Sequence, residues 1–149
     1  MTRLLDTTWE KELLAASARL SQAQEETFLK LVDAAEGRID DTIARVLLGT
    51  FSAREDYGTQ ERVVSVLSSG SDQTVIDAIV NEMPRLALEA PEWAQALLGT
   101  EVEFRPELTA RALSQAPTDC RMAAENILKN EEFRSQHPNT ELVLEQLGV

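Results

Sequence analysis

The sequence predicts an all-α protein of stacked antiparallel helical pairs, either a HEAT-like α-solenoid or an irregular helical bundle, with about eight or nine helices. Three observations lead there. Apolar residues recur at helical spacing in five separate segments, capping and breaking residues fall between those segments, and the connections between them are short.

The first helix is expected over 8–19, where Thr7 and Glu10 have the spacing of a capping box. Ser21 and Gln24 repeat that spacing ahead of a helix over 22–36, whose stripe is Phe28, Leu31, Val32 and Ala35. The third, over 40–52, places Ile43, Val46, Leu47, Thr50 and Phe51 on one face. The fourth covers 59–69. Its Arg62-Val63-Val64-Ser65-Val66-Leu67 is β-branched enough for a strand, but no partner strand is evident and helix is preferred. The fifth, over 72–89, carries Ile76, Ile79, Val80, Met83 and Ala87, with Pro84 expected to kink or break it. The sixth begins at Pro91 and carries Trp93, Ala94, Leu97 and Leu98 as far as Gly99. Thr100-Glu101-Val102-Glu103-Phe104 alternates and is expected as a loop. Helices over 106–115, 118–130 and 139–147 complete the chain, the second of them holding Ala123, Ala124, Ile127 and Leu128.

Gly37, Gly58, Gly70 and Gly99 sit where the chain can turn or leave a helix, and Pro91, Pro106 and Pro117 suit first turns. Pairs would begin near residues 8, 40, 72 and 106, a quasi-period of about 32–34 residues that suits an α-solenoid. The whole of 1–149 reads as a single helical domain.

Charge limits the functions open to this fold. The 149 residues include 14 Lys and Arg against 26 Asp and Glu, a formal net charge of −12. Such a chain is repelled by phosphate backbones and anionic lipid, so neither nucleic acid nor a membrane is expected as a direct partner. A single cysteine, Cys120, allows no internal disulfide and reads as a small buried filler. Met1–Asp6 has one base and no apolar core, and no apolar run reaches bilayer length, so a cytoplasmic protein is expected.

Catalytic motifs are missing. There is no Gly-rich phosphate loop, no Gly-x-Ser-x-Gly and no His-Glu-x-x-His. His137, beside Pro138 in a polar stretch, reads as a surface loop residue. The Asp40-Asp41 doublet suits a helix N-terminus, where negative charge is favourable. No enzyme activity, cofactor or metal is expected.

The acid excess is uneven. Residues 51–104 hold three bases and ten acids, a net of −7, and no base lies between Arg85 and Arg105. Clustered negative charge steers a basic partner and speeds encounter. Tyr57, among Glu55 and Asp56, could anchor such an interface or equally pack over a helix end, while Trp9 and Trp93 lie on apolar stripes and read as core.

Tyr57-Gly58-Thr59-Gln60-Glu61, then Val63 to Leu67, then Ala90-Pro91-Glu92-Trp93-Ala94 followed by Leu97-Leu98, resemble the all-helical immunity proteins of bacterial polymorphic-toxin and contact-dependent growth inhibition systems. The resemblance spans roughly residues 28–130 and departs from the family at Leu98-Gly99-Thr100-Glu101, where a Leu- and Asn-rich segment is usual. It implies a protein that binds and neutralises a cognate cytotoxic effector with a basic surface, such as a nuclease domain, by covering its active site or an exosite. Because they fall in or beside expected loops, Asp40, Asp41, Glu55, Asp56, Tyr57, Glu101 and Glu103 are the candidate partner-binding residues. A helical-repeat adaptor with a peptide or protein ligand, and no toxin, is the alternative.

Overall fold

The computed structural model describes residues 7–54 and 58–149. These form ten helices: α1 (Thr7–Ala16), α2 (Gln22–Ala34), α3 (Asp41–Leu48), α4 (Thr59–Leu67), α5 (Asp72–Glu89), α6 (Pro91–Phe104), α7 (Pro106–Ser114), α8 (Thr118–Leu128), α9 (Glu131–Gln136) and α10 (Thr140–Leu147). No strand occurs among the described residues. The protein is all-α, and the β-branched run Arg62–Leu67 is helical, its Val63, Val66 and Leu67 buried on one face.

The helices group into two compact units. Of the described residues, those up to Thr50 and from Arg54 to Val75 form the first, and Phe51–Ala53 with Ile76–Val149 form the second. In the first, α1 packs on α2, and α4 packs on both α2 and α3. Its interior is Trp9, Leu13, Phe28, Val32, Ile43 and Leu47 among others, and each such side chain gains roughly 1.5–3 kcal/mol on burial. Polar ties fix the register: the Trp9 indole N–H donates to the Leu31 carbonyl at 2.8 Å, the Thr59 hydroxyl to Glu25 at 2.9 Å, and Arg62 bridges Asp33 and Glu36.

Local sequence accounts for the helix ends. Ser21 caps α2, its hydroxyl accepting from the Gln24 amide at 3.2 Å, while Gln24 reaches back to the Leu20 amide at 2.7 Å. Gly58 precedes α4 with φ +107°, a left-handed conformation that costs glycine little. Pro91 and Pro106 open α6 and α7, whereas Pro117 sits one residue ahead of α8.

In the second unit α6 packs on α7, α7 on α8 and α8 on α9, and α10 returns to lie on α7 and α6. A unit in which the last helix folds back over two intervening ones is a bundle, since a solenoid pairs each repeat only with its neighbours. Phe51, just past the end of α3, is buried in this unit with its ring 5.0 Å from that of Trp93, and its carbonyl accepts from Arg85 at 2.7 Å.

Four features refine or correct the sequence-based expectation. First, α5 spans Asp72–Glu89 as expected, and of the kink or break expected at Pro84 there is no break. Ile76, Ile79, Met83 and Leu86, on both sides of the proline, are buried. Their combined burial, roughly 6–12 kcal/mol, exceeds the cost of about 3 kcal/mol that an interior proline imposes. Second, α6 runs through Gly99 to Phe104, so residues 100–104 are helix and not loop. Third, α9 is an additional helix: the Asn130 side chain accepts from the Phe133 amide at 3.1 Å, and one buried residue, Phe133, anchors the turn. Six residues with a single apolar position leave no periodicity to read. Fourth, α3 stops at Leu48, so Phe51 reaches its buried place from outside the helix.

The Asp40-Asp41 doublet divides into two roles. Asp40 is the N-cap of α3, accepting from the Ile43 amide at 2.7 Å, and Asp41 lies exposed in the first turn. Asp40→Ala is expected to lower stability by about 1 kcal/mol in urea unfolding, and Asp41→Ala by less than about 0.5 kcal/mol. Equal losses at the two positions would contradict the cap.

Candidate functional site

The last two turns of α6, with the segments that meet them, bring together the acids and the histidine singled out in the sequence. Leu97, Leu98, Glu101 and Val102 are the buried side of this part of α6. An acid at such a position must be neutralised, because a lone carboxylate in the interior costs several kcal/mol. Arg105, four residues on, supplies the charge: Nε donates to Glu101 Oε2 at 2.6 Å and Nη2 to Oε1 at 3.0 Å. Two parallel bonds of this kind are the strong form of the Arg–carboxylate pair. Glu101 is 3% exposed as a result, while Arg105 stays partly in solvent. Arg105 then closes α6 and opens α7, its carbonyl accepting from the amide of Thr109 at 2.9 Å and from its hydroxyl at 2.8 Å.

Gly99 lies on the same helix, fully enclosed. A Cβ there would stand 2.5 Å from His137 Nε2 and 2.6 Å from Cε1, so only a residue without a side chain admits the imidazole. The ring also packs on Phe133, with centroids 4.6 Å apart and planes at 47°. His137 is therefore a packed residue behind α9 and not a surface loop residue. Its Nδ1 is buried without a hydrogen-bond partner and stands 3.9 Å from Glu103 Oε1, beyond hydrogen-bond range.

Glu103 instead joins α6 to α10. Its carboxylate accepts from the Asn139 amide at 3.4 Å, and its own carbonyl accepts from the Asn139 side-chain amide at 3.0 Å. Asn139 precedes α10 without capping it, because its side chain is engaged with the otherwise orphaned carbonyl at the end of α6. Nearby, Arg134 and Glu141 form a second bidentate pair, at 2.7 and 2.9 Å, on the surface.

The candidate partner-binding residues fall on different elements. Glu101 and Glu103 are on a helix and not in a loop, with Glu101 buried and committed to Arg105 and Glu103 half-buried at the α6–α10 junction. Asp40 and Asp41 belong to the start of α3 in the first unit. Glu55, Asp56 and Tyr57 lie outside the described residues. Cys120 is buried, as expected, with its thiol 3.6 Å from the Asn81 carbonyl. Sequence reading missed the structural roles of Gly99, Arg105 and Asn139. Of these, Arg105 had a readable signal, the four-residue spacing of an acid followed by a base along a helix.

Chemically the cluster holds and orients backbone. Among the described residues, no group of three His, Cys, Asp or Glu side chains is placed to share a metal ion, and no helix is long and apolar enough to cross a membrane. No family model matches the chain, and neither the curated proteins nor the solved structures contain a significant match.

Two outcomes follow from this geometry. Gly99→Ala is expected to destabilise by about 1–2 kcal/mol, against a gain of about 1 kcal/mol from helix propensity alone. In a His137→Ala background the same change should stabilise, so the double-mutant cycle in urea reads the packing directly. The second outcome concerns pH. Hydrogen bonding from Arg134, more than charge attraction and against desolvation, holds the Glu141 carboxyl below its ordinary value of 4.5. A depressed folded-state value means that the pair's contribution is present above the ordinary value and is lost as pH falls through the folded one. Arg134→Gln should move the Glu141 titration upward toward 4.5 in a carbon-13 NMR experiment. An unmoved titration would mean that the pair does not form in solution.

Proposed function

We propose that the chain is an immunity protein that binds a cognate cytotoxic effector, most simply a nuclease domain, and neutralises it by covering its basic active site or an exosite. The observation that carries this reading is how the second unit uses its bases. Residues 76–149 contain six Lys and Arg and thirteen Asp and Glu. Four of those bases are engaged internally, as Arg85–Glu89, Arg105–Glu101, Arg121–Glu125 and Arg134–Glu141. Exposed carboxylates outside those pairs, among them Glu92, Glu107, Glu131, Glu132 and Glu145, give the surface its sign.

A surface of this sign suits a protein partner rich in Lys and Arg. A nuclease must present such residues to bind phosphate, and carboxylates set where phosphates would lie satisfy them with charge-assisted hydrogen bonds. The field speeds encounter, and a few well-packed anchors set the residence time. The resemblance at Tyr57–Leu67 and Ala90–Leu98 supports the same reading, which places the protein in the cytoplasm of the toxin-producing bacterium.

Co-expression with any toxin encoded beside its gene tests the proposal. Growth should be protected and the two proteins should co-purify. Reversing Glu92, Glu103 and Glu107 to Lys should slow association at least about tenfold at low salt, with a smaller effect at high salt. Failure to protect against any adjacent toxin would replace this reading with that of a helical adaptor lacking a toxin partner.

A further inference from the structure

Six of the described residues are Phe or Trp, and five of them point inward. Trp9, Phe28, Phe51 and Phe133 are buried and Trp93 is half-buried. Phe104 is 76% exposed. It ends α6, and the backbone turns immediately into α7 through Arg105 and Pro106. An aromatic left in water forgoes roughly 1.5–3 kcal/mol that its burial would supply, while its five counterparts take that gain.

The surroundings of Phe104 give this surface a chemistry. Glu103 precedes it, and Glu107 stands exposed in the first turn of α7. The bonds between Asn139 and Glu103 hold the first turn of α10 beside the end of α6. That turn carries Leu142, 47% exposed. The charges of Arg105 and Glu141 are already matched by Glu101 and Arg134. What this corner presents is an aromatic and an aliphatic side chain with Glu103 and Glu107 at the rim.

From this arrangement we infer that Phe104 is the anchor of a docking surface, with Glu103 and Glu107 as its acidic rim and the exposed Leu142 on the adjoining first turn of α10, and that its occupant is a protein segment carrying an apolar side chain flanked by Lys or Arg. The inference rests on the proposed function for the identity of that protein but not for the chemistry of the surface. Charge selects the occupant. A second copy of a chain with net charge −12 is repelled, as are anionic lipid and nucleic acid, whereas a basic segment is drawn in. Interface anchors are typically aromatic side chains that fill a partner's pocket, with polar residues excluding water around them. A helix corner rigidly tied to the next helix offers such an anchor with little entropy left to lose.

The test is an amide NMR titration of the whole protein with three synthetic peptides of equal length. One combines Lys and Leu, one Lys and Ser, and one Glu and Leu. The Lys–Leu peptide should shift amides of residues 103–107 and 140–142 and bind at least about tenfold more tightly than the other two. Phe104→Ala should weaken it about tenfold or more while leaving the thermal midpoint unchanged, because the side chain is exposed. Glu103→Gln with Glu107→Gln should weaken it further and flatten its salt dependence. Shifts confined to other segments, equal binding of the Lys–Ser peptide, or indifference to Phe104→Ala would each overturn the inference and leave the growth-protection reading standing. Phe104-dependent binding of the Lys–Leu peptide without growth protection would uphold the surface and overturn the toxin.

Discussion

The second unit depends on a carboxylate being stable where an apolar side chain would ordinarily lie. Glu101 occupies the buried side of α6 beside Leu97, Leu98 and Val102, and Arg105 neutralises it through two hydrogen bonds. An Asp or Glu without such a partner would turn this segment toward solvent, and α6 would lose its last turn. With Arg105 in place the helix extends to Phe104, and Arg105 serves as the hinge at which α6 becomes α7.

Room and polarity complete the corner. The absent side chain of Gly99 lets the His137 imidazole lie directly against α6, where it also packs on Phe133 of the short α9. Asn139 then satisfies a carbonyl at the end of α6, and Glu103 receives the Asn139 amide. Each group solves a local problem: an orphan carbonyl, a buried ring, an acid in the interior. Their shared result is a rigid junction of α6, α7 and α10 that leaves Phe104 in solvent.

The same principle explains why the acid excess matters more in three dimensions than in composition. Of the four Arg–carboxylate pairs named, Arg85–Glu89 and Arg121–Glu125 link residues four apart on one helix, where such pairs meet by geometry alone, and Arg105, just past the end of α6, reaches back to Glu101 at the same spacing. The fourth, Arg134–Glu141, spans the turn between α9 and α10. Bases engaged in this way offset their own partners and little else, so the remaining carboxylates set the field that an approaching molecule meets. The acidity of residues 51–104, visible as a segmental net charge, resolves into a neutralised buried acid at Glu101 and exposed or half-exposed acids such as Glu92 and Glu103.

Helix class and most helix positions were determined by the sequence alone, because an apolar stripe at helical spacing together with Ser21, Asp40, Pro91 or Pro106 at its start is a local signal. The acid excess and its concentration in the middle third were equally legible. Tertiary structure decided the rest, and the reason is the same in each case: the decisive partner lies outside the local window or contradicts its polarity. The extension of α6 requires an acid to be read as a core residue. The roles of Gly99 and His137 require two positions 38 apart in the sequence to touch. The continuity of α5 through Pro84 requires burial on both sides of the proline to outweigh a local penalty. Periodicity identifies which face of a helix is apolar. It does not say which polar residues the fold draws inside or which aromatic it leaves out, since both depend on what the neighbouring helices bring to that face.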